Sequence, residues 1–213
     1  MKILGISAGT KNGSNDAVCK EALMGAKEMG ADVEFIRVLD LDIKHCTGCI
    51  ACVKALMTGK GNLCSLRDDF EWLLDKMLDA DGIVIAAPIF EKGTAGIIRT
   101  ITDRFGPRMS RVHNLIADKL YKEGNGKEIN PKFLEEKAVS YMALGGSEWI
   151  TNVESEFSIH ALTIMGKIIN KEVFPWSTGI MVDDKRFEKA HEIGLNMVEA
   201  VKDIEKASYK SDK

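Results

Sequence analysis

The chain has 213 residues, with 29 Lys and Arg against 32 Asp and Glu, a formal net charge of −3. That length suits one α/β domain with an insertion, and the charge balance offers no basic footprint for nucleic acid. No apolar run approaches the roughly 20 residues of a membrane span, so no membrane partner is expected. The N-terminal apolar run ends at Ala8, too short for a signal-peptide core. With five cysteines, four of them clustered, this points to a reducing, cytoplasmic compartment rather than to disulfides.

Lys2 to Ser7 is a short apolar run with one charge at its start, the pattern of a strand covered on both faces. Ala8 to Asp16 breaks it with glycines, asparagines and small polar side chains. Ala17 to Met29 then places Val18, Ala22, Ala26 and Met29 at helical spacing. Strand, small polar loop and helix together aim backbone N–H groups at an anion. The loop carries neither the P-loop nor the dinucleotide fingerprint. Two readings stay open on this loop alone: an anion cradle, or a plain turn whose N-cap, Ser14 or Asn15, serves only the helix.

Asp32 to Val38 is a second strand with partial alternation. Asp68 and Asp69 open a helix with Phe70, Leu73, Leu74, Met77 and Leu78 on one face. Gly82 to Ala87 is wholly apolar, a central strand stopped by Pro88. Gly93 to Phe105 reads as helix with Ile97, Ile98, Ile101 and Phe105 inward. Gly106 to Glu136 is an insertion in which Met109, Val112, Leu115, Ile116 and Leu120 mark an amphipathic helix. An excursion longer than about fifteen residues is functional or loosely ordered, and this one is read as a cover over the ligand. Ala138 to Leu144 is a fourth strand, broken at Gly145 and Gly146. A long helix then carries Ile150, Val153, Phe157, Ala161, Ile164 and Ile168, a fifth strand falls within Glu172 to Val182, and Asp184 to Lys206 is the last helix.

Alternating strands and helices imply one doubly wound parallel sheet over residues 1–213, with its ligand beyond the strand carboxyl ends. Three loops rich in Gly and small polar residues occupy that edge: Ala8 to Asp16, Pro88 to Thr94 and Leu144 to Trp149.

Within the loop 45–64, Cys46, Cys49, Cys52 and Cys64 form the strongest chemical signal. Ligands three apart let a tightly wound segment wrap three corners of one metal centre. The repeat resembles ferredoxin spacing more than the paired motifs of a zinc ribbon. An iron–sulfur cluster, a zinc site and a loop without metal all remain open at this point. Cys19, on the first helix, reads as a buried structural thiol. No Ser-His-Asp or HExxH arrangement exists, so no catalytic side chain is assigned. His45 could tune a cluster, His113 could meet a substrate, and His160 and His191 read as packing. Trp72, Trp149 and Trp176 read mostly as core.

Taken together, Ile3 to Ser7 with Ser14-Asn15-Asp16, the cysteine row, and Ala87 to Phe90 with Ile101 to Arg104 resemble the NADPH-dependent FMN reductase family, and within it the iron–sulfur flavoproteins. The resemblance implies a flavodoxin-like fold, α/β with a five-stranded parallel sheet in the order 2-1-3-4-5 and an insertion between helix 3 and strand 4. It implies non-covalent FMN and a homodimer or homotetramer. It places Ser7, Gly9, Lys11, Ser14, Asn15 and Asp16 around the FMN phosphate. Pro88, Ile89, Phe90, Glu91 and Gly93 would lie against the isoalloxazine, with Leu144, Gly145 and Gly146 at its other edge. Gly9 stands where the family commonly has Ser, and Lys11 where it has Arg. The iron–sulfur branch further implies a 4Fe-4S cluster on Cys46, Cys49, Cys52 and Cys64. The expected activity is an FMN-dependent oxidoreductase, reduced by NAD(P)H or a ferredoxin and serving a small organic acceptor such as a quinone or an activated alkene. A dedicated electron carrier and a metal-binding regulatory module are the alternatives.

Overall fold

The computed structural model describes residues 1–58, 64–91, 93–109, 136–145, 153, 155–158, 166–174 and 183–211. The elements are β1 (Lys2–Ser7), α1 (Ser14–Glu28), β2 (Asp32–Arg37), α2 (Ala51–Thr58), α3 (Phe70–Asp79), β3 (Gly82–Phe90), β4 (Gly93–Thr94), α4 (Gly96–Met109), β5 (Lys137–Leu144), β6 (Gly166–Phe174) and α5 (Asp184–Ser211). The strands run in the order β2-β1-β3-β5-β6, and β4 pairs with β3 alone. The five long strands are parallel, while β3 and β4 are antiparallel. Counting the parallel strands alone, this is the expected flavodoxin-like order.

Period-two alternation divides the central strands between two cores. Leu4, Ile6, Ile83, Ile85, Val139 and Tyr141 face a layer with Phe70, Leu73, Met77, Ile98 and Phe105 from α3 and α4. Ile3, Val84, Ala138, Met142 and Leu144 face Val18, Ala22, Ala190, Ile193 and Met197 from α1 and α5. Each of these side chains larger than alanine, fully buried, contributes roughly 1.5–3 kcal/mol, which is why the two faces, rather than helix propensity, hold the helices down.

Two expected boundaries differ, each for a physical reason. Pro88 does not end β3: the strand runs on to Phe90. The pairing with β1 stops at Ser7 and Ala86, so Pro88 has lost its neighbour on one side, and its missing N–H costs nothing there. Gly93 and Thr94 return as β4 before α4 begins, and α4 itself continues through Pro107 to Met109. The fifth parallel strand is Gly166–Phe174, earlier than expected, so Ile168 belongs to a strand and not to a helix. Among the described residues it is the last strand of the sheet and is paired on one side only. Its polar residues, Lys167, Asn170, Lys171 and Glu172, blurred the alternation that marks a strand. The expected helix before it is observed at 155–158, with Val153 and Phe157 buried. The stretch 110–135, with its expected amphipathic helix, lies outside the described residues.

Cys19 is fully buried as expected, and burial pushes its thiol up. Trp72 corrects the reading as core: it is half-exposed, with the Lys76 ammonium 5.6 Å from its ring centre. Among the described residues no helix is long and apolar enough to cross a membrane.

The tightest helix contact is α1 against α5. A Cβ on Gly194 would lie 1.8 Å from the Ala22 carbonyl oxygen, and one on Gly25 would lie 2.3 Å from that of His191. Backbone meets backbone there, so no rotamer change can relieve an added methyl. Gly194→Ala should therefore destabilise the fold by about 3 kcal/mol. Gly96→Ala, whose Cβ meets nothing within 4 Å, should cost nothing. Chemical denaturation of the two variants reads the contrast, and equal effects would remove the close approach as the cause.

The same seam holds a pH-dependent contact. His191 Nδ1 lies 2.8 Å from Glu21 Oε1, and Nε2 lies 3.2 Å from Glu28 Oε2. The bond to Glu21, and then that to Glu28, raise the imidazole above its ordinary value against the opposing effect of desolvation. Raised in the fold, it adds stability that is complete below the unfolded value of about 6.5 and is lost as pH climbs through the folded one. His191→Gln should thus cost more stability near pH 6 than near pH 9 in thermal melts. A pH-independent cost would show that the contact is packing alone.

Candidate functional site

The carboxyl ends of β1 and β3 stand side by side, joined by the Ala8 amide donating to the Ala86 carbonyl at 2.9 Å. From that junction the chain turns through residues 8–13 into α1. Gly13 is the N-cap, in extended conformation and with no side-chain cap hydrogen bond. The plain-turn reading needed Ser14 or Asn15 as cap, and both instead lie inside the first turn. The helix thus opens with first-turn N–H groups that no side chain caps, the donors an anion uses. Asn15 is 5% exposed, and its Oδ1 is a buried acceptor without a protein partner. Orphaned acceptors are rare in native folds, and this one fits a hydroxyl-bearing, phosphorylated ligand.

Asp16 is built into the loop. Its carboxylate, 1% exposed, accepts from Ser7 Oγ at 2.6 Å, the Asn12 amide at 2.9 Å and Arg37 Nη1 at 3.0 Å. The Ser7 hydroxyl in turn accepts from the Gly9 amide at 3.2 Å. Asn12 takes a left-handed conformation, φ 57°, which Asn tolerates better than most residues. A Cβ on Gly9 would meet that of Asn15 at 2.5 Å, so the serine common in the family has no room while Asn15 keeps this place. Lys11 is exposed at the loop's rim and Ser14 is half-buried. Arg37, the last residue of β2, was not read from the sequence; an arginine closing a strand at the ligand edge is the signal that could have found it.

Along the same edge, β3 and β4 form a hairpin. Phe90 pairs with Gly93 and is 62% exposed at its tip, and Glu91 holds a positive φ of 45°. A non-glycine residue so placed costs of order 1–3 kcal/mol and persists only where its surroundings demand it. The hairpin is anchored by Glu156, whose Oε2 accepts from the Thr94 amide at 2.9 Å and from Thr94 Oγ1 at 2.6 Å. Neither Thr94 nor Glu156 carries a sequence signal, because they lie 62 residues apart. Gly145 sits at φ 113° with its amide on the Phe174 carbonyl, and a Cβ there would be 3.5 Å from Ile89 O. The β3 and β5 loops are therefore in contact. Pro88 and Ile89 are half-buried. Leu144 is 2% exposed, with its side chain in the α1 and α5 core. Gly146, Trp149, His113, His160 and Trp176 lie outside the described residues.

The cysteine row leaves β2 on this edge but does not converge. Cys46 and Cys49 are exposed in irregular backbone, Cys52 enters α2, and Cys64 follows beyond it. Cys49 Sγ lies 3.2 Å from Ser65 Oγ, and Cys64 Sγ accepts from Arg104 Nη2 at 3.4 Å. Among the described residues, which include all four cysteines, no group of three His, Cys, Asp or Glu could hold a metal ion. As placed, these thiols do not fit a 4Fe-4S cluster. What organises this region is a buried ion pair, Arg104 Nη1 with Asp68 Oδ2, with side chains 1% and 0% exposed. Burial drives Asp68 upward, but Arg104 and the amides of Lys44 and Phe70 outweigh it and hold the carboxyl below its ordinary value. Arg104 also donates to the Lys44 carbonyl and lies over the Phe70 ring. His45, exposed in the same irregular stretch, has its Nδ1 2.8 Å from Thr100 Oγ1.

An uncapped helix N-terminus beside the β3–β4 hairpin, at the carboxyl edge of a 2-1-3 sheet, is the layout of a flavodoxin-like fold. The chain belongs to the NADPH-dependent FMN reductase family, which it matches over residues 1–173. It is 28% identical to an iron–sulfur flavoprotein of Methanocaldococcus jannaschii, over 97% of this chain and 100% of that protein. A solved flavone reductase is 53% identical, with a TM-score of 0.79. That match covers 96% of this chain but only 64% of the flavone reductase's length. An archaeal flavodoxin, 11% identical with a TM-score of 0.53 over 95% of this chain and 99% of its own, shows the shared fold.

Removing one member of the Asp68–Arg104 pair leaves the other charge buried and alone. Arg104→Met should therefore cost about 3–5 kcal/mol in urea unfolding. Asp68 titrates below its ordinary value in the fold, so its contribution is whole above an unfolded pKa of about 3.9 and drains away as pH falls through the native one. A cost under about 1 kcal/mol would place the pair among surface salt bridges.

Proposed function

We propose that this protein is an FMN-dependent oxidoreductase that takes hydride from NAD(P)H and delivers it to a flat, conjugated acceptor of the flavone kind. The observation that carries the FMN reading is the uncapped start of α1 beside the orphaned Asn15 oxygen. The 53% identity to a flavone reductase supports the acceptor. Held there, FMN supplies the two-electron chemistry between nicotinamide and acceptor.

The chain's own residues then have separable tasks. The first-turn amides of α1 bind the phosphate, with the helix dipole adding to them. Asn15 takes a hydroxyl of the ligand, and Lys11 adds a cation at the rim. Phe90 offers an exposed apolar face to a planar ring. Gly145, without a side chain, lets the β5 loop lie close to Ile89 and leaves the edge narrow. Glu156 fixes the hairpin through Thr94, so the apolar face is held and not improvised on binding.

The iron–sulfur names of relatives are the reason to measure iron and sulfide beside the flavin. Protein purified without oxygen should release FMN, about one per chain, and should oxidise NAD(P)H only when flavone is supplied. Released FAD would overturn the flavin assignment. FMN with stoichiometric iron and sulfide, and reduction by ferredoxin but not by NAD(P)H, would favour the electron carrier instead.

A further inference from the structure

Arg37 reaches the first turn of α1 through Asp16. Its Nη1 meets the buried Asp16 carboxylate at 3.0 Å. The rest of its fork is held by Asp40, through Nε to Oδ1 at 3.1 Å and through Nη2 to Oδ2. The arginine side chain is 11% exposed, Asp16 is 1% and Asp40 is 58%. The contact spans β2 and the first turn of α1, the turn where an incoming anion would dock.

The electrostatic problem is plain. A flavin phosphate brings close to two negative charges, and Asp16 stands in the very turn whose amides would receive it. A buried carboxylate is poorly screened by salt, so left bare it would repel the phosphate. Asp16 cannot simply be dispensed with, because the Ser7 hydroxyl and the Asn12 amide both donate to it and shape the loop. Those two bonds already brace Asp16. What Arg37 adds to them is charge.

We propose that Arg37 makes the Ala8 to Asp16 loop selective for the phosphorylated flavin by neutralising Asp16 beside the phosphate. It is a positioning residue, and the inference rests on the FMN reading above. A residue needed only for the loop's shape would cost FMN affinity that removing the Asp16 charge cannot restore. A residue that cancels charge affects FMN alone, since riboflavin lacks the phosphate.

Apoprotein is titrated with FMN and with riboflavin, following flavin fluorescence. Arg37→Gln should lower FMN affinity about 10- to 100-fold while riboflavin affinity stays within about twofold. Asp16→Asn placed on that background should recover most of the lost FMN affinity, because the repelling charge is gone. Arg37→Lys keeps the charge and should keep most of the preference for FMN; it carries the test if Arg37→Gln does not fold. Equal losses for both flavins, no loss for FMN, or no recovery in the double variant would each overturn the proposal. Wild-type protein that binds FMN no better than riboflavin would instead overturn the phosphate reading itself, and this inference with it.

Discussion

A buried carboxylate cannot stand alone, and Asp16 sets the terms for everything at the ligand edge. An unpaired charge in the interior would cost several kcal/mol, so the chain must bring donors to it. It does so from three places: the end of β1 through Ser7, the loop through the Asn12 amide, and the end of β2 through Arg37. Those bonds fix where α1 begins. They also remove the acidic side chain from the helix cap, so that Gly13 opens the helix without a side-chain partner. The amides a phosphate would use are free because Asp16 is occupied elsewhere.

The rest of the edge is held by similarly distant contacts. Glu156 secures the β3–β4 hairpin through both the amide and the hydroxyl of Thr94, which keeps Glu91 in its costly conformation and Phe90 outward. Gly145 ties the β5 loop to Phe174 on one side and approaches Ile89 on the other. Beneath them, α1 and α5 meet backbone to backbone at Gly25 and Gly194. Among the described residues, the loops at this edge are thus each tied to a distant partner and mounted on a sheet packed on both faces.

The cysteine row shows where reasoning from spacing stops. Ligands three residues apart state how far the chain can reach, not where its hydrogen bonds draw it. Here Arg104 and Asp68, buried together, take hold of Lys44 and Cys64, while Thr100 takes His45. Cys52 enters a helix and Cys46 and Cys49 remain exposed, so four thiols at suggestive intervals face different surroundings.

The sequence by itself determined the parallel sheet, its strand order through the family resemblance, the burial of both of its faces and the helix that begins at Asp68 and Asp69, and it offered the loop from Ala8 to Asp16 as one of three candidate ligand loops. Each is a local pattern of apolar period or small residues. It misplaced the fifth strand, whose polar residues at the end of the sheet conceal the alternation, and it ended β3 at a proline that has no neighbour to offend. Only the tertiary structure decided what the site residues do. It put Ser7 and Asp16 to bracing the loop, orphaned the Asn15 oxygen, brought Arg37 from the next strand and Glu156 from far along the chain, and kept the cysteines apart. Those outcomes depend on which distant partner satisfies a buried polar group first, and no spacing along one chain records that.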